Sequence, residues 1–252
     1  MRAVAILTAA GSGTRLGHAL PKALVPLAGI PLVVRAAHAL TSSGIVRRIV
    51  VTAPPEALAD VVAALGPAPG LDVVAGGPTR QASVAAALAR LADEPDDAVV
   101  LVHDAARPLV PVRVVRRVAG AVALGWDAVV PALPVADTIK QVGPDGAVLR
   151  TLDRRELRAV QTPQGFALGT LRSAHAAATH RADDEALAAT DDAGLVEAAG
   201  GQVRVVDGHE DAMKITTPRD LLMATALVAL PVAASTGVPA AGPPVTAGTG
   251  EP

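Results

Sequence analysis

Short Val- and Ala-rich segments alternate with longer segments of helical periodicity over the first half of the chain. The apolar segments predict strands at residues 3–8, 46–52, 71–75, 98–102 and 128–132. The segments between them predict helices at residues 31–43, 54–65, 79–91 and 112–124. Strands that alternate with helices of about 10–15 residues are typical of βαβ units. The pattern therefore predicts the α/β class, as a single Rossmann-like domain with a mostly parallel sheet.

The alternation stops near Pro134, where turn-forming residues become frequent. Residues 137–142 and 147–152 flank the segment GPDG (143–146), which predicts a β-hairpin. We expect this hairpin to project from the domain as an arm covering about residues 134–162. The α/β pattern then resumes, with helices predicted at residues 168–178, 191–199 and 218–229 and a strand at residues 202–206. The predicted domain spans residues 1–230.

The last 22 residues differ in composition from the rest of the chain. Residues 231–252 contain five Pro, four Gly, one acid and no base, and they show no periodicity. Such a segment cannot bury enough apolar surface to offset the entropy lost on ordering. We therefore expect a disordered tail.

The chain of 252 residues contains no Cys and only 1% aromatic residues. The absence of Cys excludes a disulfide scaffold, a thiolate metal site and a Cys nucleophile. The scarcity of aromatic rings and the near-neutral charge argue against a nucleic-acid partner. No apolar run reaches the roughly 18 residues of a membrane span, and the N-terminus does not resemble a signal peptide. These features predict a cytoplasmic protein without a membrane partner.

Positive charge is concentrated at the start of the sequence. Residues 1–55 contain six Lys or Arg and no acid, whereas the remainder holds 16 basic and 24 acidic residues. On a chain of net charge −2, this asymmetry fits a site for an anionic ligand. A chance excess of surface arginine explains the charge alone equally well.

A loop rich in small residues, LTAAGSGTRLG (7–17), follows the first predicted strand. Such residues allow backbone N–H groups to approach phosphates closely. The loop fits neither GxxxxGK[ST] nor the dinucleotide motif GxGxxG, and no acid precedes Glu56 to hold a ribose. It contains Arg15, and Lys22 follows it, so two cations can converge on a triphosphate. The alternative is a tight strand-to-helix turn with two solvated cations.

The segments AAGSGTRLG (9–17) and LPKAL (20–24) resemble the loop of the sugar-phosphate nucleotidyltransferases. Six further motifs are similar to those of one family, the 2-C-methyl-D-erythritol 4-phosphate cytidylyltransferases of the non-mevalonate isoprenoid pathway. In order they are GGPTRQASV (76–84), VHDAARP (102–108), DTIK (137–140), LDRRELRAVQTPQGF (152–166), TDD (190–192) and EDAMKITTP (210–218). The resemblance extends from residue 3 to about residue 229. It implies transfer of CMP from CTP to 2-C-methyl-D-erythritol 4-phosphate, with release of pyrophosphate.

The same resemblance implies the catalytic residues. Arg15 and Lys22 match the family's two loop cations, which face the charge on the α-phosphate and the leaving pyrophosphate. Asp104 matches the residue of the metal and substrate site, and the implied cofactor is Mg²⁺ or another divalent cation. The nucleophile is the substrate's own phosphate, whose second pKa of about 6 leaves it mostly dianionic at neutral pH. Catalysis therefore needs no general base and depends on positioning and electrostatic stabilisation.

Binding residues follow from the motifs in the same way. The resemblance implies nucleotide contacts, through backbone groups and one hydroxyl, at Ala9, Ala10, Gly11, Gly13, Gly77, Ser83, Ala105 and Ala106. It implies acceptor contacts at Arg107, Thr138, Lys140, Arg154, Thr162, Thr190, Asp211 and Lys214. Pro78 departs from the family pattern, because it lacks an N–H for the base. We expect Arg80 to brace this loop, His103 to be structural and the acidic segment 183–185 to be solvated.

In this family the arm exchanges across a homodimer, so the resemblance implies that Arg154 completes the site of a partner copy. One alternative is a cytidylyltransferase for another polyol phosphate, such as ribitol 5-phosphate, because acceptor choice can depend on a few contacts. A second is a nucleotide-binding regulatory module without turnover, against which the presence of Arg15, Lys22 and Asp104 argues. A dinucleotide-dependent oxidoreductase is excluded by the loop spacing.

Overall fold

The computed structural model describes residues 1–11, 13–18 and 20–230, and the predicted tail at residues 231–252 lies outside them. In chain order the strands are β1 (Ala3–Thr8), β2 (Pro26–Leu27), β3 (Ile30–Pro31), β4 (Val46–Ala53), β5 (Leu71–Ala75), β6 (Val99–Asp104), β7 (Ala128–Pro134), β8 (Lys140–Val142), β9 (Val148–Thr151), β10 (Arg158–Val160), β11 (Gln164–Ala167) and β12 (Val203–Asp207). The helices are α1 (Leu32–Thr41), α2 (Leu58–Leu65), α3 (Arg80–Ala89), α4 (Val112–Ala123), α5 (Leu168–Ala177), α6 (Asp192–Ala198) and α7 (Pro218–Ala229). None of these described helices is long and apolar enough to span a membrane.

Eight of the described strands form one sheet. Strands β6, β1, β4 and β5 lie side by side in parallel, and β7 pairs in parallel with β12. Strands β10 and β11 run antiparallel to β7, and β11 joins β7 to β6. The predicted α/β class with a mostly parallel sheet is confirmed.

The central strands bury both faces, as their uniformly apolar sequences predict. Successive side chains of β1 point to opposite sides of the sheet. Ala5 and Leu7 pack against the layer that contains α1 and α4, whereas Val4 and Ile6 pack against α3, α5 and α6. Two helical layers therefore hold the sheet rigidly and leave its carboxyl edge free for loops.

The observed elements differ from the sequence predictions at functionally important places. Strand β6 extends two residues beyond its predicted end at residue 102. Its last residue, Asp104, pairs in parallel with Thr8 of β1. The sequence does not predict strands β10 and β11, because QGFA at Gln164–Ala167 lacks a Val-rich run. Gly165 is required in β11, since a Cβ there would lie 2.6 Å from Val118 Cγ1 of α4.

The predicted hairpin is present but shorter than expected. Strands β8 and β9 pair antiparallel, with Lys140 opposite Thr151, and form a separate two-stranded sheet. All of their residues are exposed, including Val142, Val148 and Leu149. That this hairpin projects from the domain as an arm stays a prediction.

The far edge of the main sheet carries the one Trp of the sequence. The guanidinium carbon of Arg204, on β12, lies 4.5 Å from the centre of the Trp126 ring. Trp126 also packs against the core layer of α1 and α4. This cation–π contact covers the core beside β12.

Candidate active site

A cavity of about 580 Å³ opens at the carboxyl edge of the parallel strands, where open α/β sheets bind ligands. Its walls are the loops after β1, β5 and β6, together with the segment that precedes α7. The sequence-predicted residues that line it are Ala9, Ala10, Gly11, Gly13, Arg15, Lys22, Gly77, Ser83, Asp104, Ala105, Ala106 and Lys214. All predicted catalytic and nucleotide-binding residues therefore surround one space.

The loop after β1 passes directly against Lys22. Gly13 has φ of +65°, and a Cβ at this position would collide with Lys22 Cβ. Lys22 begins a 3₁₀ turn, Lys22–Leu24, and is partly buried. Burial and the neighbouring Lys214 ammonium lower the pKa of Lys22 to about 8. A partly desolvated cation beside another cation is suited to receive an anionic ligand.

The opposite wall is the junction between β5 and α3. Gly76 has no room for a side chain, since a Cβ there would lie 2.5 Å from Ala10 Cβ and 2.8 Å from Ser83 Oγ. The Gly77 N–H donates to Ser83 Oγ at 3.1 Å, and Ser83 Oγ donates to the Thr79 carbonyl at 2.8 Å. Thr79 caps α3 by accepting a hydrogen bond from Ala82 N–H. Pro78, without an N–H, also lines the cavity.

Asp104 ends β6 as a buried carboxylate surrounded by cations. Lys214 Nζ lies 2.9 Å from its Oδ2, and Arg80 Nε lies 3.6 Å from its Oδ1. Arg107 Nε is 3.8 Å from Oδ2. Burial would raise the pKa of Asp104, but the charges of Arg80 and Lys214 hold it well below its usual range. The carboxylate is therefore ionised throughout the physiological pH range.

Thr162 lies behind Asp104 and does not line the cavity. Its hydroxyl accepts a hydrogen bond from the Asp104 N–H at 3.1 Å and lies 2.9 Å from His103 Nδ1. The other ring nitrogen of His103 lies 3.1 Å from the Arg107 carbonyl. Burial lowers the pKa of His103 to about 4, so the ring is neutral at pH 7. These contacts fix the end of β6, which agrees with a structural His103.

Three other predicted acceptor residues lie outside the lining of the cavity. Arg107 is mostly buried and donates to the Ala212 carbonyl at 2.7 Å. The Asp211 carboxylate is half exposed and lies 3.5 Å from the His209 ring. Thr190 is exposed in the loop before α6. Of the predicted acceptor residues outside the arm, the structure thus places only Lys214 in the cavity wall.

Three predicted acceptor residues in and around the hairpin also do not line the cavity. Thr138, Lys140 and Arg154 are exposed. Lys140 Nζ donates to Thr151 Oγ1 at 2.7 Å across the hairpin, and Arg154 donates to the Ala136 carbonyl. Within one copy of the chain, these side chains therefore do not join the site.

Two residues that the sequence does not assign to the site also line the cavity. Arg80, expected to brace the loop, lines the cavity and pairs with both Asp104 and Asp192. The sequence feature that could have assigned Arg80 to the site is its position in the motif GGPTRQASV. Glu185, from the segment expected to be solvated, is exposed and also lines the cavity. Local sequence gives no signal for Glu185, because its loop reaches α3 through long-range contacts such as that of Ala189 with Gln81.

The cavity lining offers a divalent cation the buried carboxylate of Asp104 and the exposed carboxylate of Glu185 rather than a complete set of ligands. No cluster of three or more His, Asp or Glu suited to a metal occurs in the described part of the chain. Asp104 presents its Oδ1 near the Thr8 hydroxyl, at 3.3 Å, and Lys214 binds its Oδ2. Mg²⁺ commonly takes one or two carboxylates, with water and substrate phosphates as its remaining ligands. The residues therefore fit a cation that a triphosphate helps to hold.

A tight Gly-containing loop, converging cations and a buried carboxylate at the carboxyl edge of a parallel sheet define an α/β nucleotidyltransferase. The family model IspD, 2-C-methyl-D-erythritol 4-phosphate cytidylyltransferase, matches residues 3–229. The chain belongs to this family. It is accordingly a transferase of isoprenoid biosynthesis that uses CTP to form 4-diphosphocytidyl-2-C-methyl-D-erythritol, which confirms the function implied by the sequence motifs.

Known proteins resemble the chain over nearly its whole described length. It is 53% identical to the 2-C-methyl-D-erythritol 4-phosphate cytidylyltransferase of Saccharopolyspora erythraea, over 91% of this chain and 100% of the relative. It is 48% identical to that of Nocardia farcinica, over 89% and 93%. The crystal structure of the Thermus thermophilus enzyme matches with a TM-score of 0.73 and 38% identity, over 91% of this chain and 100% of that one.

Proposed function

We propose that the cavity binds CTP beside 2-C-methyl-D-erythritol 4-phosphate and that an acceptor phosphate oxygen attacks the α-phosphorus of CTP. A new P–O bond forms to the acceptor, and the bond from the α-phosphorus to the bridging oxygen breaks. Pyrophosphate leaves with that bonding pair. The observation that carries this proposal is that Lys22, Lys214 and Asp104 meet at one cavity edge. Two anions can approach each other there because fixed cations screen their repulsion.

Each cation has its own place in this scheme. Lys22 and Arg15 face the α-phosphate and the leaving pyrophosphate, since both flank the loop after β1. Lys214, on the Asp104 side, receives the phosphate of the acceptor. Asp104 orients Lys214 through their contact and offers one oxygen to a metal. Fixed charges aimed at developing charge lower the barrier without any reorganisation during the reaction.

The base lies between the two loops that the glycines bring together. Gly76 lets these loops approach, since a Cβ there would clash with Ala10 and Ser83, and Gly77 and Ser83 line the adjoining cavity. The Gly77 backbone and the Ser83 hydroxyl supply hydrogen-bonding groups at this point. A nucleotide can thus be held without aromatic stacking in a chain that has only 1% aromatic residues.

The cofactor in this proposal is Mg²⁺, held by the triphosphate and one Asp104 oxygen. A bound cation would neutralise part of the triphosphate charge. Thr8 and Asp104 orient the site from the ends of β1 and β6, since the Thr8 hydroxyl donates to Asp104 Oδ1. A cytoplasmic location, where CTP is available, is part of the same proposal.

The active unit in this proposal is a homodimer formed through the arm. Support comes from the hairpin itself, which exposes Val142, Val148 and Leu149 together with charged site residues. Lys140 and Arg154 do not line the cavity of their own copy. In this proposal, a second copy of the chain covers the apolar residues of the hairpin, and Lys140 and Arg154 reach the cavity of that copy.

One assay tests this function against its alternatives. Purified protein is mixed with Mg²⁺, CTP and either 2-C-methyl-D-erythritol 4-phosphate or ribitol 5-phosphate, and pyrophosphate is measured. We expect release with the methylerythritol substrate. Release with ribitol 5-phosphate alone would identify another polyol phosphate as the acceptor. Binding of CTP without release in either mixture would instead indicate a regulatory module.

A further inference from the structure

A row of paired polar side chains leads from the helical layer behind the sheet to the cavity. His175 Nε2, on α5, lies 2.9 Å from Asp192 Oδ1, at the start of α6. Asp192 Oδ2 lies 2.6 Å from Arg80 Nη1, at the start of α3. Arg80 Nε then faces Asp104, which contacts Lys214. The chemistry proposed for the cavity uses Asp104 and Lys214 but gives Asp192 and His175 no role.

Asp192 is held in place from several directions. Its side chain is 1% exposed, and burying a carboxylate this deeply is unfavourable unless it is paired. The Gln164 amide oxygen accepts hydrogen bonds from the N–H groups of Asp192 and Ala193, which ties the start of α6 to β11. The His175 side chain, 5% exposed, contacts it from behind. Asp192 is therefore a rigid negative charge.

Arg80 links the two carboxylates of this row. Its guanidinium lies between Asp192 on the buried side and Asp104 on the cavity side. Burial would lower the pKa of Arg80, but Asp192 and Asp104 raise it, so the group is always charged. Without Asp192, the desolvated guanidinium would depend on Asp104 as its nearest anionic partner. It would then move toward Asp104 and compete with Lys214 for it.

We propose that Asp192 is a positioning residue for nucleotidyl transfer, which holds the Arg80 guanidinium at the distance from Asp104 that keeps Lys214 aligned in the cavity. His175 supports Asp192 from behind. The inference rests on the proposed function, since it concerns the alignment of Asp104 and Lys214 in that reaction. It adds a residue that does not line the cavity and that acts through another side chain.

The chain contains a matched control for this proposal. Glu94 is also a buried carboxylate, 5% exposed, that pairs with an arginine, Arg47. Neither residue lines the cavity. The substitutions Asp192→Asn and Glu94→Gln each remove one buried charge with little change in shape. Both variants should lose stability, because breaking a buried pair leaves an unpaired charge.

The kinetic readout separates positioning from stability. For Asp192→Asn we expect kcat to fall about 10- to 100-fold, because small displacements of reacting groups are this costly. KM for CTP should change less than about threefold, since the base and triphosphate contacts are untouched. Glu94→Gln should retain kcat at a temperature well below both unfolding midpoints. An Asp192→Asn enzyme with unchanged kcat, or an equal loss in Glu94→Gln, would overturn the proposal.

Two further comparisons keep the proposal testable if Asp192→Asn does not fold. His175→Gln retains a donor to Asp192, and we expect it to keep kcat, whereas His175→Leu should lose it several-fold. Equal kcat in these two variants would contradict the proposal. In an Arg80→Lys background, Asp192→Asn should have little additional effect on kcat, because Asp192 acts through Arg80. Wild-type protein without pyrophosphate release would refute the proposed function, whereas active wild type with unaffected variants would refute the positioning role alone.

Discussion

The Lys214 ammonium lies 2.9 Å from Asp104 Oδ2, so two residues from distant parts of the sequence enter the cavity as an ion pair. This contact sets the local charge. Asp104 partly neutralises the cations around it, and yet the cavity lining remains positive because its four Lys and Arg side chains outnumber its two carboxylates. An anionic substrate therefore meets an arrangement of charges that is already held in place.

Replacing Asp104 by Asn should affect turnover and stability together. We expect kcat to fall about 10²-fold or more, because a preorganised charge at the reacting phosphates is lost. Stability at pH 7 should fall by about 3–5 kcal/mol, since cations remain clustered without their partner. The pKa of Asp104 is depressed in the folded state, so its contribution is present above about pH 4 and is lost as the pH falls further.

Chemical denaturation at several pH values checks this prediction. The difference in free energy of unfolding between wild type and Asp104→Asn should shrink as the pH falls below about 4. Asp72→Asn is the control, because Asp72 is half exposed and pairs with Arg48 at the surface. Its effect should stay below about 1 kcal/mol. A pH-independent difference for Asp104→Asn would contradict the electrostatic explanation.

The pH dependence of activity should report Lys22. Its pKa is lowered to about 8, so the free enzyme loses this positive charge as the pH rises through that value. We expect kcat/KM for CTP to decline above about pH 8. In Lys22→Arg the decline should move to higher pH, since guanidinium stays charged. If kcat/KM declined at the same pH in Lys22→Arg as in the wild type, the decline would belong to another titrating group.

The same ammonium should affect the stability of the protein without ligand. Between about pH 8 and pH 10.5, the unfolded chain binds a proton at Lys22 that the folded chain does not. Stability contributed by this residue should therefore rise with pH across that interval. Denaturation of wild type and Lys22→Met in the absence of CTP measures it. A rise of equal size in both proteins would assign the effect to other residues.

Gly13→Ala should weaken CTP binding. The substitution places a Cβ against Lys22 and strains a backbone at φ of +65°, so the loop must move away. We expect KM for CTP to rise about tenfold or more, which corresponds to a loss of about 1.4 kcal/mol. Gly120→Ala is the control, because no atom lies within 4 Å of an added Cβ in α4. Normal CTP binding by Gly13→Ala would contradict the close approach of loop and lysine.

Mixing two inactive variants tests the exchange of arms. Lys22→Ala disables the cavity of its own copy, whereas Arg154→Ala removes a group proposed to act in the partner's cavity. A mixed dimer contains one site that lacks both groups and one site that is intact. We expect pyrophosphate release to recover toward half of the activity per mixed dimer after joint refolding. Failure to recover, with dimers present by light scattering, would place Arg154 outside the partner's site.

Removal of divalent cations should stop turnover without unfolding the protein. The described residues offer no metal cluster that the fold would need. We therefore expect a chelator to abolish pyrophosphate release while the unfolding midpoint of the ligand-free protein stays unchanged. Added Mg²⁺ should restore activity. A drop in the unfolding midpoint on chelation would reveal a structural metal instead.

The sequence predicts those strands and helices whose residues carry a clear local pattern of apolar residues or a helix-start signal. Strand β1 and helix α7 have the bounds that the sequence predicts, because uniform apolar residues and Pro218 at a helix start are strong signals. Strand β11 escapes prediction because its place in the sheet depends on residues distant in sequence, such as Val118 of α4 against Gly165 and the core layer around Phe166. Periodicity carries no information about such contacts.

For the candidate site, too, the sequence predicts what lies within one motif and does not predict contacts between distant segments. Residues close to one another in a motif, such as Gly77 and Ser83, are predicted together and lie together. The role of Arg80 depends on the start of α6 lying beside α3, which no local pattern states. Thr162 belongs to a site motif but supports Asp104 from behind. A motif thus identifies which residues matter more readily than what each one touches.

The contact between Trp126 and Arg204 makes the chain well suited to fluorescence measurements. The sequence has one Trp and no Tyr, so the signal excited near the red edge of protein absorption comes from this indole alone. Trp126 lies beside β12 and outside the cavity lining. Intrinsic emission will therefore report the melting of the sheet edge and change little when nucleotide fills the cavity. The unfolding of wild type and variants can thus be followed optically with or without saturating CTP, using the same native reporter.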